Sequence, residues 1–195
     1  MRAVPLALRA CAGSGDAGTY RQPRHALANW GRIRQRSIMV RWSEFANLRP
    51  DLEPVAREML YQHGIGLGFL ATVRADGGPR VHPICPILAE NLYAFIVPGP
   101  KLADLRRDGR YAMCSETCAP PRHDDNVYVT GMIEELDDAP LRERLTSQIL
   151  AERNMVEPWP GFDEEPMLEL HVDRVLITLT EARDGLPAGH TVWTH

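Results

Sequence analysis

The chain has 195 residues, of which 44% are hydrophobic and 25% charged, with a net charge of −4. Those values suit one globular domain with a sizeable core and exclude the strongly basic surface of a nucleic-acid binder. No apolar run approaches the roughly 20 residues that cross a bilayer, and the four Cys lack the spacing of a disulfide framework, so a cytoplasmic protein is expected.

Residues 1–38 carry seven Arg against one acid, Asp16, so the remainder of the chain is strongly acidic. The segment has no sustained period of 2 or 3.6 and is rich in small residues. It reads as a disordered basic extension, a targeting segment, or sequence upstream of a natural start at Met39. The folded domain is expected over 39–195.

From residue 50 onward the pattern is regular. "DLEPVAREMLYQHG" places Leu52, Val55, Met59 and Leu60 on one helical face, with Gly64 as a stop. "IGLGFLATVRADGGPRVHPICPILAENLYAFIV" reads as three strands joined at Asp76-Gly77-Gly78 and Ala89-Glu90-Asn91. Pro83 and Pro86 in the middle strand remove ladder donors, which puts that strand at a sheet edge or along a groove. "PKLADLRRDG" is a short helix ended by Gly109. "RYAMCSETC" and "NVYVTGMIEELD" are two more strands, and "DDAPLRERLTSQILAERN" is a helix with Pro140 in its first turn. In the last long strand, "MLELHVDRVLITLTEA", the apolar alternation changes phase between Val172 and Val175, which calls for a bulge near Asp173–Arg174. Six antiparallel strands with few helices suggest a small barrel.

The motifs exclude more than they assign. "HGIGLGF" has the order helix, glycines, strand, the reverse of a dinucleotide fingerprint. In "CSETCAPPRH", Cys114, Cys118 and His123 lack the fourth ligand of a closed zinc site, so no metal is expected, and His171 reads as structural. No P-loop, G-x-S-x-G or HExxH is present, and no catalytic residue is assigned. The informative feature is Lys101, the single lysine among 22 basic residues. Gly99-Pro100-Lys101 opens a helix, where backbone N–H groups and the helix dipole favour an anion, and an ammonium there suits a phosphate.

The succession "GFLATVRADGGPRVHPICPIL", "LYAFIVPGPKLADLRRDGRYAM", "NVYVTGMIEELDD" and "LELHVDRVLI" resembles the pyridoxamine 5′-phosphate oxidase-related proteins. The resemblance covers about residues 45–195. It implies a six-stranded antiparallel Greek-key split β-barrel with small flanking helices, mainly β. It also implies a homodimer holding a flavin in each of two subunit grooves, and a small-molecule substrate. On this resemblance Lys101 contacts the cofactor phosphate and Arg80 assists. His82, Pro83, Ile84, Ile96 and Val97 line the ring and ribityl chain. Trp193 near the C-terminus has two readings, a cover for the ring from the partner subunit or, more simply, the closure of a hydrophobic seam. The cofactor is FMN or the 5-deazaflavin coenzyme F-420, serving an oxidoreductase, and the flavin carries the redox chemistry itself. Two features depart from the pyridoxamine phosphate oxidases. Gly99 and Pro100 stand where Ser or Arg usually precedes the lysine, and no Arg follows Arg183, so vitamin B6 oxidation is not expected. Two alternatives stay open: a haem- or tetrapyrrole-binding split barrel using His82 or His171, and a non-catalytic dimeric flavin-binding module.

Overall fold

The structure is a computed structural model that describes residues 39–195, so the readings made for residues 1–38 lie outside the described residues. Two short helices come first, α1 (Trp42–Leu48) and α2 (Glu53–Leu60). In α1 the backbone N–H of Arg41 donates to Glu44, and the helix buries Trp42 and Phe45. α2 buries Val55, Ala56, Met59 and Leu60, and Gly64 (φ 75°) follows its end. The strands are β1 (Gly68–Val73), β2 (Pro79–Ile84), β3 (Ile87–Leu88), β4 (Leu92–Phe95), β5 (Arg110–Ser115), β6 (Asn126–Leu136), β7 (Met167–Leu179) and β8 (Gly189–Thr194). Helix α3 (Pro100–Asp108) joins β4 to β5, and α4 (Ala139–Glu152) joins β6 to β7. No helix among the described residues is long and apolar enough to cross a membrane.

All described pairings are antiparallel, in the order β2-β1-β5-β6-β7-β4-β3, with β8 also on β7. The result is a curled, half-open barrel with flanking helices, the mainly β architecture expected. The turn residues act as the sequence suggests. Gly77 takes a positive φ of 83°, and the Asp76 carboxylate accepts from the Gly78 N–H at 3.0 Å. Gly109 (φ 76°) ends α3 in the left-handed region, and Asp138 caps α4 by accepting from Leu141 N–H at 2.9 Å.

β7 organises the sheet. One edge pairs with β6 along its whole length. Along the other edge it pairs in turn with β4 (Met167–Glu169), with Val40 at Val172, and with β8 (Arg174–Leu179). The predicted bulge is present: Thr130 faces Arg174 and Gly131 faces Val172, which leaves Asp173 as the extra residue. The phase therefore flips, so Leu168, Leu170 and Val172 and then Val175, Ile177 and Leu179 all reach the main core. A smaller core under α4 gathers Ile87, Tyr93, Leu145, Ile149, Phe162 and Met167.

The strand count differs from the expected six in two places. The second predicted strand breaks at Cys85-Pro86 into β2 and β3, because Pro86 offers no ladder donor. The C-terminal "GHTVWT" forms β8, whose alternation holds only one large apolar residue per face and so carries a weak strand signal.

The outer face of the sheet carries a row in cross-strand register: Pro83, Phe69, Cys114, Tyr128, Leu176 and Val192. Phe69, Tyr128 and Val192 are 40%, 37% and 44% exposed. A Cβ at Gly131 would meet the His171 carbonyl oxygen at 1.7 Å, the closest backbone approach in the sheet and one that the bulge creates. Gly131→Ala is expected to cost about 3 kcal/mol or more in urea unfolding, since backbone must shift. An unchanged midpoint would mean that β6 and β7 separate freely.

Candidate functional site

β2 pairs only with β1, so one of its edges is open, as the prolines require. Register assigns its side chains to faces. Arg80, His82 and Ile84 stand opposite Thr72, Leu70 and Gly68, on the core side, whereas Val81 and Pro83 stand opposite Ala71 and Phe69 on the outer side. His82 is exposed, and Ile84 is buried in the main core.

α3 is fastened to this hairpin through one carboxylate. Asp104, buried on the inner side of α3, accepts from Arg80 Nε at 2.7 Å, from Arg107 Nη1 at 3.1 Å and from Thr72 Oγ1 at 3.2 Å. Arg107 also donates to the carbonyl of Val73. The Arg80 hydrogen bond, joined by those of Arg107 and Thr72, holds the Asp104 carboxyl below the usual carboxylate range. β1, β2 and α3 thus meet at a single anion. Sequence reasoning missed Asp104. The only available signal was the i, i+3 spacing of Asp104 and Arg107, which surface helices show routinely.

Lys101 lies one turn before Asp104. Gly99 caps α3 in extended backbone, Pro100 occupies the first turn, and no side chain caps the helix. The first turn holds no acid, so its free N–H groups remain available to an acceptor from outside the helix. Lys101 is half-buried and makes no ion pair among the described residues. Burial pushes its ammonium below the usual lysine range, with the Glu165 carboxylate and the Cys85 thiol acting in the opposite direction. Glu165 is itself buried and accepts from Trp159 Nε1 at 2.7 Å.

Not every candidate reaches this corner. Val97 is 60% exposed just before α3. Ile96 is 1% exposed in the main core, and its N–H donates to the Pro166 carbonyl at 3.2 Å. Pro83 belongs to the outer row. Trp193, on β8, lies 4.9 Å from Phe45 between ring centroids and packs against the main core of its own chain. The structure therefore joins Arg80 to α3 through Asp104, with Lys101 one turn earlier on that helix, His82 on the same face of β2 as Arg80 and Val97 just before α3, and it leaves Ile84, Ile96, Pro83 and Trp193 elsewhere.

The sequence matches no family model and no curated protein. By structure, the chain is similar to a Listeria innocua protein described as a candidate pyridoxamine 5′-phosphate oxidase. That match has a TM-score of 0.51 at 20% identity and covers 65% of this chain and 97% of the other. A NimC/NimA family protein from Clostridium acetobutylicum matches at TM-score 0.51 and 16% identity, over 73% of this chain and 91% of that one. A heme binding protein from Mycobacterium smegmatis matches at TM-score 0.51 and 16% identity, over 71% of this chain and 57% of that one. The fold is the split β-barrel of the pyridoxamine 5′-phosphate oxidase-like proteins.

In this split barrel, Asp104 holds Arg80 and Arg107 where β1, β2 and α3 meet. Its depressed pKa means that its stabilising contribution is complete above the unfolded-state value of about 4 and is lost as pH falls through the folded-state value. Asp104→Asn is expected to lower the melting temperature near neutral pH, and the gap from wild type should close below about pH 4. A gap that stays constant with pH would show that the charge of Asp104 does not hold the clamp.

Proposed function

We propose that the chain binds FMN or the deazaflavin coenzyme F-420 as a homodimer and serves as an oxidoreductase for a small molecule. The observation that carries this reading is Lys101, half-buried without an ion pair among the described residues and set in the first turn of an uncapped helix, within the electrostatic reach of Cys85 just after β2. A phosphate fits that position. It would accept from the first-turn N–H groups and from the Lys101 ammonium, completing the cap that no side chain provides. Arg80 spends its Nε on Asp104 and keeps its Nη groups for a second phosphate contact. His82 and Val97 would border the cofactor beyond the phosphate.

When bound, such a cofactor supplies the hydride chemistry. The chain's own residues then have to bind the phosphate, orient the ring and keep water away. A seam open along one edge of β2 also needs a cover, and a second copy is the natural one. The outward row from Pro83 to Val192 crosses six strands and exposes three large apolar side chains, a surface suited to burial between subunits.

Titration with FMN and with reduced coenzyme F-420 is expected to show low-micromolar binding of one of them. Lys101→Ala should weaken it about tenfold or more, the size of a charge-assisted contact of ~1.5–3 kcal/mol. Lys101→Arg should lose less, because the charge remains. Failure of both cofactors to bind folded dimer overturns the flavin reading, and a Soret band on adding haem would move the assignment to a tetrapyrrole at His82. Sedimentation tests the other half of the proposal. The wild type should be a dimer and Tyr128→Asp a folded monomer, because Tyr128 lies outside the core. A monomeric wild type overturns the shared groove.

A further inference from the structure

Away from that seam, β6 and β7 bring together three side chains that no reading of the chain order would join. Their register sets Glu169 directly opposite Glu134, and His171 follows two residues later on the same face of β7. Ligand atoms of the three lie within 4.8 Å of one another. His171 Nε2 is 3.0 Å from Glu134 Oε2. Two carboxylates facing each other across a ladder repel, and a chain that keeps them has to offset that cost.

Glu134 is partly relieved by solvent, with its side chain 54% exposed. Glu169 has no such relief. It is 2% exposed, and its Oε1 has no hydrogen-bond partner among the described residues. A buried, unpartnered acceptor is destabilising, and more so when charged. Burial pushes the Glu169 carboxyl above its usual range, while Arg41 and His171 pull the other way. Arg41 Nε does approach Glu169 Oε1, at 3.4 Å, but without hydrogen-bond geometry and from a side chain that is 54% exposed. That ion pair is loose and easily displaced. Glu169 also lines a cavity of about 610 Å³, together with Arg41, Glu90, Tyr93, Asp138 and Arg144.

We propose that Glu134, Glu169 and His171 form a binding site for one divalent first-row transition cation, such as zinc, beside the cavity that Glu169 lines. Two carboxylate oxygens and one imidazole nitrogen are donors that such cations accept, and the nitrogen argues against magnesium or calcium. Bonds of about 2.0–2.2 Å to each ligand place the donor atoms roughly 3–3.5 Å apart. Reaching that spacing needs only a small closing motion, which the exposed Glu134 can make. Three protein ligands leave a coordination position for water or a small ligand. The cation would neutralise the facing carboxylates and satisfy Glu169 Oε1, and Arg41 would be released. The site shares no residue with the proposed cofactor seam, so it stands whether or not a flavin binds there.

The test is a titration of the untagged full chain with Zn²⁺ by calorimetry and with Co²⁺ by visible absorption. One equivalent per chain is expected at micromolar affinity. Glu169→Gln and His171→Ala should each weaken it at least tenfold. Arg41→Ala, which removes the competing cation, should bind as tightly as wild type or more tightly. Glu135→Gln, next in sequence but paired with Arg106 at 2.7 Å, should leave it unchanged. Glu169→Gln keeps the shape and removes a buried charge, so folding should persist. The metal-induced rise in melting temperature seen in wild type should then vanish in that variant. Equal affinities for wild type and Glu169→Gln overturn the site. So do the near-ultraviolet sulfur-to-cobalt bands of a thiolate ligand, or the lack of any saturable binding.

Discussion

The fold depends on one strand serving three neighbours along one edge. β7 pairs with β4, then Val40, then β8, while β6 follows its other edge throughout. A regular 13-residue strand could not do this and keep one apolar face, because side chains alternate with a period of 2. The extra residue at Asp173 resolves the conflict. It rotates the second half of the strand, so that Val175, Ile177 and Leu179 join the core that Leu168, Leu170 and Val172 began. The Thr130 hydroxyl holds Asp173 in place from across the ladder, and Gly131 admits the close approach of the His171 carbonyl. The same phase turns Glu169 and His171 away from the main core, toward Glu134. The bulge that completes the barrel therefore also assembles the carboxylate–imidazole cluster.

The seam at β2 follows a different rule. Helix α3 is fastened by ion pairs as well as by its buried leucines, Leu102 and Leu105. Asp104 collects Arg80 from β2, Thr72 from β1 and Arg107 from its own helix, and a buried carboxylate is tolerated only when it is satisfied in this way. Removing one partner would leave charge unmatched at a point where three elements meet. Lys101, one turn away, is the counterpart with no partner among the described residues. The two charges on α3 therefore differ in kind: Asp104 is fully partnered, and Lys101 is not.

Features that depend on local spacing were legible in the sequence. Periodicity located α2, α3 and α4, the glycines marked the turns, and the phase change in "MLELHVDRVLITL" exposed the bulge. Two prolines identified the edge strand. What stayed hidden depends on long-range register. Glu134 and Glu169 are directly opposite only because β6 and β7 pair as they do, and nothing local distinguishes them from solvated acids. Ile96 shows the other limit. A resemblance assigns a role to a position, whereas packing puts this side chain in the core of its own chain. Trp193 packs against the core as the simpler of its two readings expected. β8 escaped notice because "GHTVWT" balances polar and apolar residues too evenly to announce a strand.

The open edge of β2 is maintained by the chain. Pro79, Val81 and Pro83 share one parity along β2, and Pro has no N–H with which to bond β1. That parity therefore faces the free edge, and two of its three donors are missing. Only the Val81 N–H remains to start another ladder. At the far end of the sheet order, β3 is two residues long, too short to offer a continuous edge. Proline and short length are both devices that prevent a sheet from recruiting further strands. Here they also prevent β2 and β3 from extending a ladder toward each other, so the barrel remains split. The β2 edge thus stays unpaired because two of its three outward backbone donors are missing, and any segment laid along it would find one N–H where a regular strand offers three.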